Sequence, residues 1–273
     1  MIPGAQPLLL VGAGKMGGAM LDRWIERGLD PGEVTILDPY LEGERWANCA
    51  KIGIATARTV REAADRAYKV IVLAVKPQSM SDALKQLPPL VASGTIVLSI
   101  AAGIRLATLE AGLPKEQPVV RAMPNTPAQV GMSMTVAVAN TALSKDARGI
   151  VDFLLSSIGK LAWIEEERLI DAVTAVSGSG PAYVFLLAEC LADAAREAGL
   201  PGALADLLAR QTVAGSGALL ADSSLPPETL RKNVTSPGGT TQAALEVLMA
   251  DDGLRNLLVR AVAAARKRSI ELG

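Results

Sequence analysis

The sequence predicts an α/β protein in two parts, a doubly wound, mostly parallel sheet over residues 1–165 and an all-α region over residues 166–273. Three observations predict it. Short apolar, β-rich runs alternate with helical segments through the first part. A glycine-rich turn, Gly12-Ala13-Gly14-Lys15-Met16-Gly17, links the first such run to a helix. After Glu166 strand patterns cease and every remaining segment reads as helix.

The strand candidates are LLLVGAG (8–14), EVTILD (33–38), KVIVLAV (69–75), TIVLSI (95–100), PVVRAM (118–123), MTVAVA (134–139) and LAWIE (161–165). Their apolar runs are continuous and not alternating, as expected where helices cover both faces of a parallel sheet. Beyond residue 166, LIDAVTAV, PAYVFLLAECLADAAREAGL, ALADLLARQTVAGSGALLA, PPETLRKNV, TQAALEVLMAD and GLRNLLVRAVAAARKRSIEL are helices, separated by Gly, Pro and Ser at 177–181, 199–202, 222–227, 235–240 and 251–253. YVFLLAECLADAA is apolar nearly all the way round. Such a helix needs burial on more than one side, so this part is expected to pack against a second copy of itself.

Composition excludes several classes of function. The 27 basic and 28 acidic residues leave a net charge of −1, which provides no long-range field for nucleic acid or anionic membrane. The cluster Arg266-Lys267-Arg268 falls where cations stabilise a helix C-terminus. The start of the chain has no basic segment before its apolar run, and no apolar stretch is expected to reach membrane-spanning length. With only Cys49 and Cys190, far apart in helical segments, the expectation is a cytoplasmic protein with two buried thiols, no disulfide and no metal. Histidine is absent, which removes His-based acid/base chemistry, Ser-His-Asp triads and His-ligated metals together.

The glycine turn has the context of a dinucleotide-binding Rossmann motif. Gly12 permits the tight turn, Gly14 lets backbone approach a pyrophosphate, and Gly17 lets helix and strand pack closely, with Lys15 and Met16 opening the helix. Asp38, at the end of the second strand, suits the ribose hydroxyls of NAD and repels the 2′-phosphate of NADP; Arg45 is the nearest cation that follows. Two further turns lie at carboxyl ends of strands, where open α/β sheets bind ligands. One holds Ala74, Val75, Lys76 and Pro77, the other Ala101, Ala102 and Gly103. Lys76 reads equally as a phosphate or ribose contact and as a solvated side chain.

A second anion-friendly helix start appears far downstream, in VTSPGGTTQAAL (234–245). A Pro-Gly-Gly turn before a helix leaves several N–H groups pointing one way, which is a receptor for a carboxylate. The plainer reading is an N-cap formed by Ser236 or Thr240. Capping requires one hydroxyl, and this run has two glycines and three hydroxyls.

RAMPNTPA (121–128) and SGSGPAY (177–183), with that run and the first glycine motif, resemble the pyrroline-5-carboxylate reductase family over essentially the whole chain. The resemblance implies a Rossmann domain, a helical dimerisation domain interlocked with its partner, and often a larger ring of dimers. It implies the reduction of 1-pyrroline-5-carboxylate to proline by NADPH or NADH, the cofactor being NADP or NAD in its reduced form. Ser236, Gly238, Gly239, Thr240 and Thr241 would hold the substrate carboxylate, with Thr241 near the ring nitrogen. Met123, Pro124 and Asn125 would border the nicotinamide, although Asn125 also reads as a turn-forming amide. Members with marked NADP preference carry a small polar or basic pair where this chain has Pro39-Tyr40, so NADPH against NADH stays open.

A cyclic imine also accounts for the missing histidine. It arrives protonated, so hydride addition gives a neutral amine directly and no acid is required. The β-hydroxyacid dehydrogenases share this layout but place a catalytic Lys where this chain has Val184. Other cyclic imine reductases and a non-catalytic dinucleotide-binding regulator remain as alternatives, the latter having no use for a carboxylate receptor.

Overall fold

The computed structural model describes residues 4–273, except for the side chains of Arg45 and Trp46. Its strands are β1 (Leu8–Val11), β2 (Val34–Leu37), β3 (Ala55–Ala57), β4 (Val70–Leu73), β5 (Ile96–Ser99), β6 (Val119–Met123), β7 (Ser133–Ala139) and β8 (Gly159–Trp163). They form one sheet in the order β3-β2-β1-β4-β5-β6-β7-β8. Every neighbouring pair is parallel except β6 and β7. The chain order reverses between β1 and β4, and the crevice beyond the carboxyl ends of those two strands is where such folds bind dinucleotides.

The helices of the sheet region are α1 (Lys15–Glu26), α2 (Gly43–Lys51), α3 (Val60–Ala63), α4 (Met80–Gln86), α5 (Leu106–Ala111) and α6 (Lys145–Ser156). They divide the core between the two faces. Leu8, Leu10, Ile36 and Val72 join Met20, Trp24 and Leu154 on one side, while Leu9, Val11, Ile71 and Leu73 join Leu84 and Leu109 on the other. Alternate residues of one strand therefore enter different cores, which is why the strands read as unbroken apolar runs. The buried Trp24 indole donates to the Leu154 carbonyl at 2.8 Å, so its one polar atom is satisfied.

β3 was not among the expected strands. It is three residues of Ala-Thr-Ala at the sheet edge, too short and too weakly apolar to stand out. The last strand begins at Gly159, two positions before the expected LAWIE run.

The remaining helices are α7 (Ile170–Val173), α8 (Gly180–Glu197), α9 (Gly202–Asp222), α10 (Pro227–Asn233), α11 (Thr240–Leu248) and α12 (Leu254–Leu272). The chain forms two compact units, Met1–Gly178 with Arg266–Gly273, and Ser179–Ala265. The first unit continues beyond residue 165 because Ile170 is fully buried in the same core as Leu9 and Leu73. In the second, α8 and α9 leave Phe185, Leu186, Leu207 and Leu219 more than half exposed.

Two expectations from sequence are corrected. The Gly-Ser-Gly-Pro segment does not end the helix: a π turn over Thr174–Gly178 carries it on, and Glu167–Glu197 becomes one helical run of 31 residues containing an 18-residue stretch of mean hydropathy 1.3. That run is long and apolar enough to cross a membrane by length and composition alone. Of the two thiols, only Cys49 is buried; Cys190 lies on the uncovered side of α8 and is exposed in the single chain.

Candidate functional site

The glycine turn is shaped by what a side chain would strike. Gly12 has φ +90°, its N–H donates to the Leu37 carbonyl at 2.9 Å, and a Cβ there would lie 2.9 Å from the Ala74 carbonyl oxygen. A Cβ on Gly17 would collide with the Gly12 carbonyl, so the third glycine lets α1 approach β1. Gly14 is different, with open space where its Cβ would be.

That opening lies at the start of α1. Gly14 is the N-cap of α1 without a side-chain cap bond, and the first turn contains no acid. The Gly18 N–H returns to the Gly14 carbonyl at 2.8 Å, whereas the N–H groups of Lys15, Met16 and Gly17 have no partner among the described residues. Unpaired donors at the positive end of a helix beside a side-chain-free backbone fit a pyrophosphate.

Asp38 is tied on both sides. Its Oδ2 accepts from the Ala13 N–H and its Oδ1 from the Tyr40 N–H, each at 2.9 Å. The carboxylate thus links the glycine turn to the loop after β2, and each oxygen keeps a lone pair for a ribose hydroxyl. The Tyr40 N–H is thereby engaged by the carboxylate. The side chain of Arg45 lies outside the described residues.

The other two turns join the same sheet edge. The Ala74 N–H donates to the Val11 carbonyl at 2.8 Å, after which Val75 is half-buried and Lys76 and Pro77 are exposed. The Ala101 N–H reaches the Ser99 hydroxyl at 3.3 Å, Ala102 is exposed, and Gly103 turns the chain with φ +76°.

Met123, Pro124 and Asn125 leave β6 at that edge, and the Asn125 side chain bonds within its own unit through both its nitrogen and its oxygen. Its Nδ2 donates to the Ser177 carbonyl at 3.0 Å, its Oδ1 accepts from the Met134 N–H at 3.0 Å, and its backbone N–H donates to the Ser133 hydroxyl at 3.2 Å. These bonds give the amide a turn-forming task. A Cβ on Gly178 would come within 2.5 Å of the Met123 methyl, so a side chain there requires that methyl to move; Gly180 meets nothing within 4 Å.

In the second unit, Ser236-Pro237-Gly238-Gly239 is a reverse turn closed by the Gly239 N–H on the Ser236 carbonyl at 3.0 Å, with Gly238 at φ +70°. Neither Ser236 nor Thr240 caps α11; its N-cap is Gly239, without a side-chain bond. The loop uses two of the amides expected to be free, since Gly238 N–H donates to Gln242 Oε1 at 2.8 Å. The N–H groups of Thr240, Thr241 and Gln242 keep no partner among the described residues. Thr241 is half-buried beside them, while Ser236 and Thr240 are exposed.

Sequence reasoning missed one charged pair beside the Ala101–Arg105 turn. Arg121 and Glu167 form a 2.7 Å ion pair whose arginine is 5% exposed. A lone charge inside the apolar run PVVRAM was a signal for a buried partner, but spacing does not point to Glu167.

Residues 167–272 match a profile described as pyrroline-5-carboxylate reductase dimerisation, and residues 8–103 match one described as NADP oxidoreductase coenzyme F420-dependent. The chain is 38% identical to a pyrroline-5-carboxylate reductase of Pseudomonas aeruginosa, covering 97% of this chain and 96% of that one. It is 40% identical to that of Synechocystis, covering 97% of each. Among solved structures, a pyrroline-5-carboxylate reductase from Coxiella burnetii superposes with a TM-score of 0.91 at 34% identity, covering 98% of this chain and 99% of that one. A Plasmodium falciparum pyrroline carboxylate reductase with NADP bound gives 0.83 at 29% identity, covering 99% of both chains.

Proposed function

Because this chain belongs to the pyrroline-5-carboxylate reductase family, we propose that its two uncapped helix starts divide one reaction between them: the reduction of 1-pyrroline-5-carboxylate to L-proline by NADH or NADPH, the last step of proline biosynthesis. The carrying observation is the start of α11, where a Pro-Gly-Gly turn delivers three unpaired N–H groups and no capping hydroxyl.

The start of α1 holds the pyrophosphate on the N–H groups of Lys15, Met16 and Gly17. Asp38 takes the adenosine ribose, and the turns at Ala74–Pro77, Ala101–Gly103 and Met123–Asn125 line the rest of the dinucleotide. When bound, the reduced nicotinamide supplies the hydride. Thr240, Thr241 and Gln242 offer their N–H groups to the substrate carboxylate, and the Thr241 hydroxyl hydrogen-bonds the ring nitrogen. Ser236, Gly238 and Gly239 shape this receptor. With the imine already protonated, these residues bind and align the ring, and no side chain supplies a proton in the hydride step.

The chain is a homo-oligomer, as its match to a dimerisation profile and the uncovered apolar faces of α8 and α9 require. The pairing runs through the C-terminal helices, with dimers assembled into a larger ring in the cytoplasm. This pairing also accounts for the apolar run Glu167–Glu197 without a membrane.

The test is NADH and NADPH oxidation, side by side, with 1-pyrroline-5-carboxylate as acceptor and proline as the measured product. Proline formed in step with cofactor oxidation is the expected result; cofactor binding without turnover would reduce the chain to a dinucleotide-binding regulator. The same assay reads Asp38. Replacing it with serine frees the Tyr40 N–H and removes a negative charge from the 2′ position. The ratio of kcat/KM for NADPH to that for NADH should rise roughly tenfold, the worth of about 1.4 kcal/mol. An unchanged ratio would place cofactor selection elsewhere.

A further inference from the structure

The turn Ala101–Arg105, between β5 and α5, is braced from outside its own segment. Glu167 Oε1 accepts from the Leu106 N–H at 2.8 Å and from Arg121 Nη1 at 2.7 Å, so one carboxylate oxygen holds the first residue of α5 and a charge buried in β6. Leu106 itself is 9% exposed, in the core with Leu73 and Val97. The end of α12 supports the other side of the turn. Ser269, also buried, donates to Asp171 Oδ1 at 2.7 Å. Four residues beyond it, a Cβ on Gly273 would lie 2.9 Å from the Gly103 carbonyl oxygen, and a Cβ on Gly103 would lie 3.4 Å from that of Leu272.

Both braces come from the two ends of the stretch that matches the dimerisation profile, residues 167–272. Neither was legible as part of the cofactor site, and an ion pair between the buried Arg121 and the half-buried Glu167 is weak evidence for stability in itself. Its position is the informative feature. It fixes where α5 starts, and therefore where the Ala101–Arg105 turn that leads into it leaves the sheet edge.

We infer that Glu167 is a positioning residue for the dinucleotide, holding the Ala101–Gly103 turn in place through the Leu106 N–H and Arg121. This rests on the reading that Ala101, Ala102 and Gly103 meet the cofactor. Glu167 touches neither cofactor nor substrate. Its loss lets the turn move away from the crevice, which weakens cofactor binding while leaving the imine receptor on α11 unaltered.

The decisive variant is the double substitution Arg121→Met with Glu167→Leu, which fills the space with apolar groups, strands no buried charge and deletes the acceptor for Leu106. Its KM for NADH and NADPH should rise roughly tenfold, the loss expected when a hydrogen bond to a charged group is removed. KM for 1-pyrroline-5-carboxylate and kcat at saturating cofactor should stay within about twofold, a separation that a general loss of stability does not produce. Arg121→Met with Glu167→Gln keeps an acceptor for Leu106 and should recover most of the cofactor KM. Ser269→Ala, a milder change at the second brace, should move the cofactor KM in the same direction and covers the case of a double variant that does not fold. An unchanged cofactor KM in the folded variants, or equal rises in both KM values, overturns the inference. Ala102→Glu separates the two layers. If this charge on the exposed tip of the turn leaves the cofactor KM unchanged, the reading of the turn fails and the brace with it. If it raises KM while the double variant does not, only the brace is wrong.

Discussion

Alanine in place of Gly12 is expected to raise the KM for NADH and NADPH together by roughly a hundredfold, the scale of loss when a site is displaced by about an ångström. Two independent costs meet at this residue. Its φ of +90° belongs to the region that L side chains avoid, and a Cβ would sit 2.9 Å from the Ala74 carbonyl oxygen and 3.1 Å from its carbon. Backbone on both sides has to yield: Gly12 is bonded to Leu37 of β2, and Ala74 to Val11 of β1. Relief of the clash therefore separates the pyrophosphate turn from the Ala74–Pro77 turn, which the proposal assigns to one cofactor. Gly94 provides the control. It also has positive φ, +80°, but meets nothing within 4 Å, so Gly94→Ala should cost about 1–2 kcal/mol of stability and leave the cofactor KM alone. Isothermal binding of the reduced cofactor checks the same point without turnover. Equal, small effects of the two substitutions would show that Gly12 matters only as a turn residue.

This contrast between two glycines marks how far sequence carries. The turn Gly12-Ala13-Gly14-Lys15-Met16-Gly17 was legible because motif, preceding strand and following helix agree; Gly12 and Gly17 have steric reasons within the fold, whereas Gly14 has open space beside it. The parallel sheet was legible because strands covered on both faces cannot alternate. β3 was not, since a three-residue edge strand of Ala-Thr-Ala carries almost no apolar signal. Nor was the continuity of the helix through Ser177–Pro181, where glycine and proline are punctuation locally but a π turn absorbs them. At Asn125 the sequence left two readings. The observed partners, Ser177 and Met134, lie 52 and 9 residues away along the chain, beyond any local pattern. The pairing of Arg121 with Glu167 fails to show for the same reason: a charge in a strand signals that a partner is needed, and only the fold says which one. The SPGGTT run was legible in outline. Its detail was not: the Ser236 carbonyl takes the Gly239 N–H and the Gln242 side chain takes the Gly238 N–H, which leaves Thr240, Thr241 and Gln242 as the free donors.

Thr241 is half-buried among those donors, and the proposal places its hydroxyl at the ring nitrogen. Thr241→Ala removes a hydroxyl without a partner among the described residues, next to three unpaired N–H groups at the head of a nine-residue helix. If the hydroxyl bonds the imine nitrogen in the transition state, its loss should cost about 1–3 kcal/mol, roughly five- to 150-fold in kcat/KM. The backbone donors are untouched by the substitution, so carboxylate binding persists and the effect should fall on kcat more than on KM. Stability is a weak competing explanation, because alanine is the better helix former and the threonine makes no cap bond. Thr241→Ser restores the hydroxyl and should recover most of the rate, whereas Thr240→Ala, one position earlier and exposed, should change it little. Steady-state kinetics on these three variants with saturating reduced cofactor is sufficient. An unaltered kcat/KM in Thr241→Ala would mean that the free N–H groups act alone and that the hydroxyl takes no part in ordering the ring.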